Sequence, residues 1–315
     1  MTEQASALDL DGLDGTNPAG FLAGLGVLAI LDHLNYPARL WWSDSVVPRA
    51  RLDGIASVDV LIEEIIRDKD KLTNGPLLEF PPGEPADDIK FARSQDIRRF
   101  LDHCRRSEPS AALSMALVCE GVLDNQGRAK PTDFHFTAGQ QRFLTMVREL
   151  QRNVTHDHAY EALCGPWKRN APLPSFMWDS TDDRDYAFAA VNPANDKKLT
   201  APGVEWLAFR GLTFFPVHSL SGRVQTPGAG GAWKSGWFTW PLWRVPVATT
   251  VARSLIQAVP RDEAMPGRFL AAAEDWGVQR LMRSRITRSD QGGYGTFRPS
   301  QVIWAASSSP QPRRR

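Results

Sequence analysis

Cysteine is scarce: three in 315 residues, at Cys104, Cys119 and Cys164, with no CxxC pair. That leaves no disulfide framework and no zinc ribbon, and it fits a reducing, cytoplasmic setting. No apolar run reaches the roughly 20 residues a bilayer demands. The longest lies in TNPAGFLAGLGVLAILDHLN, 16–35, and Asp32 and His33 close it. An acidic N-terminus speaks against a secretory signal, so no membrane association is expected. Nucleotide fingerprints are missing too: PGAGG (227–231) and QGGYG (291–295) match neither GxxxxGK[ST] nor GxGxxG. There is no GxSxG elbow and no HExxH pair. Nothing therefore marks a catalytic residue, a resident metal or a cofactor.

What is present is an ordinary globular composition, 42% hydrophobic and 23% charged. The 16–35 stretch reads as a buried helix, with Thr16 or Asn17 as cap and Pro18 in the first turn. Gly20, Ala23, Gly24 and Gly26 lower its helix propensity, and close approach of another backbone is the expected return. Amphipathic helices are expected over 58–72, 94–106 (capped by Ser94) and 137–154, a more buried one over 108–121, and a short one over 156–165. Further helices are expected over 202–211, 246–259 and from 266. A short strand or turn is expected over 9–15, and strands over 39–43, 131–136, 212–218, 237–243, about 278–288 and 297–304. In the 237–243 strand, Pro241 restricts pairing to an edge or bulge. The fold class is α+β, helix-rich in the N-terminal half and strand-containing in the C-terminal half, without repeats. Residues 1–306 read as a single mixed unit, with a soft division near 165–200, and 307–315 as a disordered basic tail.

The net charge of +1 hides a gradient. Residues 1–100 hold 10 basic and 17 acidic side chains, and residues 244–315 hold 12 and 5. A basic back suggests contact with a polyanion. Arg280, Arg283, Arg285 and Arg288 fall within nine residues, followed by Arg298. On a strand, Arg283 and Arg285 share a face, and the arginine fork suits phosphate. The alternative is a salt-bridged edge strand. A second patch is Arg223, Trp233, Lys234 and Trp237 on a glycine-rich loop. Eleven tryptophans serve either as core or as stacking platforms for bases. His156, Asp157 and His158, with Asp179, Asp182, Asp183 and Asp185, are the most metal-like residues. Their spacing fits solvated helix-start and loop residues better than a ligand set.

Three segments, LDGLDGTNPAGFLAGLGVLAIL, RLWWSDSVVPRARLDG and DFHFTAGQQRFL, resemble CRISPR-associated proteins of the type I-G (formerly I-U) group. WFTWPLW and QGGYGTFRPS are similar in flavour. The resemblance covers about 35 residues at the front and a dozen near 133–144. It implies a non-catalytic subunit, large-subunit-like or accessory, of an RNA-guided, Cascade-like surveillance complex in antiviral defence. Its expected partners are guide RNA, target DNA and other effector subunits. In such complexes base pairing reads the sequence and protein holds backbones. The expected phosphate contacts are Arg280, Arg283, Arg285, Arg288 and Arg298, with Trp233, Lys234 and Trp237 as a weaker loop site. A metal-dependent hydrolase or nuclease, and a purely structural interaction subunit, are the alternatives.

Overall fold

The computed structural model describes residues 7–137, 140–181, 199–288 and 294–307. In the first third, β1 (Leu8–Asp14), α1 (Pro18–His33), β2 (Arg39–Trp42), β3 (Arg49–Asp53) and α2 (Val58–Lys71) follow one another. The middle holds α3 (Ser94–Cys104), α4 (Glu108–Leu117), β4 (Val118–Leu123), β5 (Ala129–Pro131), α5 (Phe143–Asn153), α6 (His156–Cys164) and α7 (Pro202–Gly211). The last third holds β6 (His218–Leu220), β7 (Arg223–Gln225), β8 (Ala229–Ala232), β9 (Ser235–Trp243), α8 (Thr249–Gln257), α9 (Gly267–Asp275), β10 (Val278–Arg288), β11 (Gly295–Phe297) and β12 (Gln301–Ala305). The fold is α+β, and every sheet is antiparallel.

The first helix starts where the sequence marks it. Asn17 accepts a hydrogen bond from the Ala19 N–H, and Pro18 takes the first turn. Almost all of α1 is buried, and it packs chiefly along α7. Phe21 of α1 sits among Trp42, Phe238, Trp240 and Trp243, at ring-centroid distances of 5.7, 6.3, 5.9 and 6.2 Å. Trp42 comes from the three-stranded sheet β1-β3-β2, the other three from β9 of the larger sheet. Leu40 and Val247 exchange backbone hydrogen bonds of 3.0 and 3.1 Å, and Trp243 Nε1 donates to the Leu40 carbonyl at 2.7 Å. These contacts join the two sheets under α1.

In the larger sheet β10 pairs with β9 over its length, while β11 and β12 divide its other edge. β8 pairs with β9 only over 235–238, so Pro241 lies beyond it and needs no partner there. Several expectations shift, among them the helix expected over 108–121, which ends at Leu117 where β4 begins. Residues 212–214 form a 3-10 turn rather than a buried strand. α5 begins at Phe143, not 137. Strand β5 ends at Pro131, so 133–136 is not a strand. Ser94 lies inside α3, which Arg93 precedes without a side-chain cap. No helix among the described residues is long and apolar enough to cross a membrane. The basic tail, apart from Ser307, lies outside the described residues, as do 182–198 of the expected soft division.

Candidate nucleic-acid interface

The arginines of β10 are held by the protein itself. Arg280 donates to the carbonyls of Val46 (3.1 Å) and Ser45 (2.7 Å), fastening the β2–β3 loop. Arg283 is 7% exposed. Its Nε donates to Thr239 Oγ1 at 2.9 Å, and its other nitrogens donate to the carbonyls of Glu263 (2.7 Å) and Asp262 (3.4 Å). Its guanidinium lies 5.3 Å from the Trp237 ring centroid, and burial pulls its pKa below the usual arginine value. Arg285, on the same side, is exposed and pairs with Glu263 Oε1 at 3.1 Å. Arg298 continues the sheet through backbone bonds: its N–H donates to the Arg285 carbonyl, and its carbonyl accepts from Ser284 Oγ. The shared face of Arg283 and Arg285 is therefore real, but the loop before α9 covers its Arg283 end. A cue for this lies in β10 itself, where Leu281, Met282 and Ile286 make the strand apolar on both sides.

Arg288 belongs to a different neighbourhood. It is 9% exposed, and it donates to the carbonyls of Trp233 (2.9 Å) and Asp133 (2.7 Å). Its guanidinium stacks 3.7 Å from the Trp233 ring centroid. Burial pushes its pKa down to about 10, with Asp133 opposing the change. Trp233 and Lys234 form the two-residue tip of the β8–β9 hairpin, since Ala232 pairs with Ser235. Trp233 is 43% exposed, whereas Trp42, Trp178, Trp206, Trp240 and Trp243 are fully buried. Trp237, on β9, is buried beside Gly230 and Gly231; a Cβ at either glycine would meet its ring at 2.7 Å. The expected loop site thus divides into Trp233 and Lys234 at the tip and Trp237 buried on β9.

Around Trp233 two cavities meet. One, of about 430 Å³, is lined by Lys130, Asp133, Arg223, Arg261, Arg288 and the β8–β9 glycines. The other, of about 580 Å³, runs past Lys130, Arg223 and Trp233 to Lys90, Arg128 and His135. Lys130 Nζ lies 5.8 Å from the Trp233 ring centroid. Among the described residues Lys130, Arg223, Arg261 and Arg288 make no ion pair. Arg128, by contrast, pairs with Asp124 at 2.9 Å. Burial lowers the pKa values of Lys90 and Arg261, with partial opposition from Asp88 and Asp133 respectively. Lys90, Lys130 and Arg261 carry no sequence signal: they are isolated cations that only the fold brings to one rim.

His135 closes the floor of the larger cavity. Its Nε2 lies 3.3 Å from Asp88 Oδ1 and 2.9 Å from Thr137 Oγ1. Burial lowers its pKa and favours the neutral ring. A relay would use both ring nitrogens, one for each neighbour. Here one nitrogen faces both, so the trio is a structural hydrogen-bond set.

The metal-like residues do not converge. His156 Nε2 faces Glu63 Oε1 at 3.3 Å, and His158 Nδ1 accepts from the Thr155 N–H in a capping box. Asp179 is engaged by Asn17 (2.7 Å) and Arg169 (2.7 Å). Asp182, Asp183 and Asp185 lie outside the described residues. Among the described residues no three His, Cys, Asp or Glu side chains form a group able to hold a metal ion. Compared with protein-family models and with curated protein sequences, the chain matches none.

Proposed function

We propose that the chain is a non-catalytic nucleic-acid-binding subunit of a CRISPR RNA-guided, Cascade-like surveillance complex, contacting guide RNA or the target-DNA backbone from the cytoplasm. The observation that carries the binding reading is the Trp233 cleft, where Lys130, Arg223, Arg261 and Arg288 surround a half-exposed indole. Cations tracking a backbone beside an aromatic platform are the chemistry of single-strand binding. Membership of the complex rests on the type I-G resemblance of the N-terminal segments.

In this reading the phosphate contacts are Lys130, Arg223 and Arg261, with Arg285 and Lys234 at the periphery. Arg283 and Arg288 hold the loops that shape the cleft, and Arg280 fastens the β2–β3 loop away from it. Fluorescence anisotropy with a labelled single-stranded RNA, across a salt series, tests it. The double variant Lys130→Glu, Arg223→Glu is expected to bind more weakly and to lower the salt slope by about one to two units. An unchanged slope removes the cleft assignment. Recovery of the tagged chain from its host with a short RNA of uniform length and several co-eluting proteins tests the complex itself.

A further inference from the structure

We propose that the smaller cavity behind Trp233 binds a phosphomonoester: the terminal phosphate of a nucleic-acid strand or the phosphate of a free nucleotide. This deepens the proposed function and rests on it only for the strand as source. The cavity's volume of about 430 Å³ falls at the lower end of small-ligand sites, roughly 300–1,000 Å³. That is room for a group of nucleotide size.

Its walls carry an excess of positive charge. Lys130, Arg223, Arg261 and Arg288 line it, with Asp133 as the lining carboxylate. The nitrogens of Arg288 that are satisfied donate to neutral carbonyls, so no anion touches that buried cation among the described residues. Two further donors are buried there without partners among the described residues: Arg288 Nε and one terminal nitrogen of Arg261. A buried donor left unpaired costs about 1–3 kcal/mol, more when the group is charged, so a water, an ion or a ligand there offsets that cost.

The charge imbalance selects the ligand. A phosphomonoester carries about −1.5 to −2 at neutral pH, against −1 for an internal phosphodiester. It also presents three acceptor oxygens, enough for Lys130, Arg223 and Arg261 together, with Arg288 adding its charge from the wall. The attached sugar and base would then leave the cavity beside Trp233, whose exposed indole can stack on a base.

Isothermal titration calorimetry on the full chain at fixed salt tests the site. The probes are a short single-stranded RNA with a 5′-phosphate, one with a 3′-phosphate, the same strand with hydroxyls at both ends, and a nucleoside monophosphate. Arg261→Gln is the informative variant, because no hydrogen bond of its side chain supports the fold among the described residues; its melting temperature is measured alongside. One phosphorylated strand is expected to bind about tenfold or more tightly than the hydroxyl strand, and Arg261→Gln to abolish that difference. Tight monophosphate binding, lost in Arg261→Gln, with no strand binding keeps the site and assigns it to a free nucleotide, while removing the proposed function. Equal affinity for all three strands, with no monophosphate bound, overturns the phosphomonoester site and leaves the backbone-binding reading standing.

Discussion

Arg283 and Arg285 lie two residues apart on one side of β10, and their side chains do different work. Arg283 makes three hydrogen bonds inside the protein, two of them to carbonyls of the loop before α9. Arg285 makes an exposed ion pair. Removing Arg283 leaves buried acceptors without donors, a loss of about 1.5–3 kcal/mol for bonds to a charged group. Removing Arg285 changes stability by at most about 1 kcal/mol. Urea denaturation of Arg283→Ala and Arg285→Ala should show that order, and the reverse order would refute the division of roles. Charge reversal at Arg283 is accordingly a poor probe of binding, because it disturbs the sheet before any ligand arrives.

Asp179 ties α1 to the segment that follows Gly165. Burial alone would raise its pKa, but hydrogen bonds from Arg169, Asn17 and the Thr181 N–H carry it below its usual 3.8. A carboxylate depressed on folding stabilises the native state above the unfolded pKa, and that contribution fades as pH falls toward the folded value. Stability measured by urea titration from about pH 5 to about pH 3 should therefore drop, and Asp179→Asn should flatten the drop. Asp88 and Asp124, also depressed, and the buried His135, whose pKa burial lowers, contribute to the slope that remains. An identical slope in the variant would mean that Asp179 titrates in its native contacts as it does in the unfolded chain.

At the scale of elements, α1 and α7 meet through glycine. A Cβ on Gly26 would overlap the Leu207 carbonyl, and one on Gly211 would overlap the Leu22 carbonyl. Backbone stands against backbone at both points. Gly20 and Gly24 answer to other neighbours, the Asp14 carbonyl and the Trp42 ring. Alanine would normally gain about 1 kcal/mol over glycine inside a helix. Here Gly26→Ala and Gly211→Ala should instead lose about 1–3 kcal/mol or more by overpacking, seen as a lower melting temperature. A gain in either would mean the helices can part without cost.

The same elements show what the sequence could and could not say. α1 was legible because its cap, its proline and its all-round hydrophobicity agree, and the glycines foretold close approach. β10 was legible as a strand, and even its face assignment held for Arg283 and Arg285. The identity of what covers that face was not, because the covering loop at 261–263 is distant in sequence and has no period. The 212–214 turn was misread because LTFFPVH is apolar without being extended, and periodicity does not separate the two over so short a run. The Trp233 cleft was legible only in part: Arg223 and Trp233 sit in one glycine-rich stretch, but Lys130 and Arg261 reach it through tertiary packing alone.

At the scale of the molecule, the acidic front and the middle of the chain are joined by a pair that solvent does not reach. Asp68 of α2 accepts from Arg210 of α7 in a two-pronged contact of 2.8 and 3.0 Å, with both side chains 1% exposed. One terminal nitrogen of Arg210 has no partner among the described residues, so the pair is not fully satisfied. Desolvating two charges consumes most of what their attraction returns, and breaking such a pair strands the survivor. Asp68→Ala should therefore destabilise the protein by about 3–5 kcal/mol, while Asp68→Leu with Arg210→Met should come close to the wild type or exceed it. Chemical denaturation measures both. Neither residue lines the Trp233 cleft, so the double variant, where folded, should bind single-stranded RNA with wild-type affinity and salt slope. If the double variant is as unstable as Asp68→Ala, the pair is worth more than its volume in apolar atoms. If it is stable but binds weakly, the position of α7 governs the cleft, and the helical half and the sheet are mechanically one.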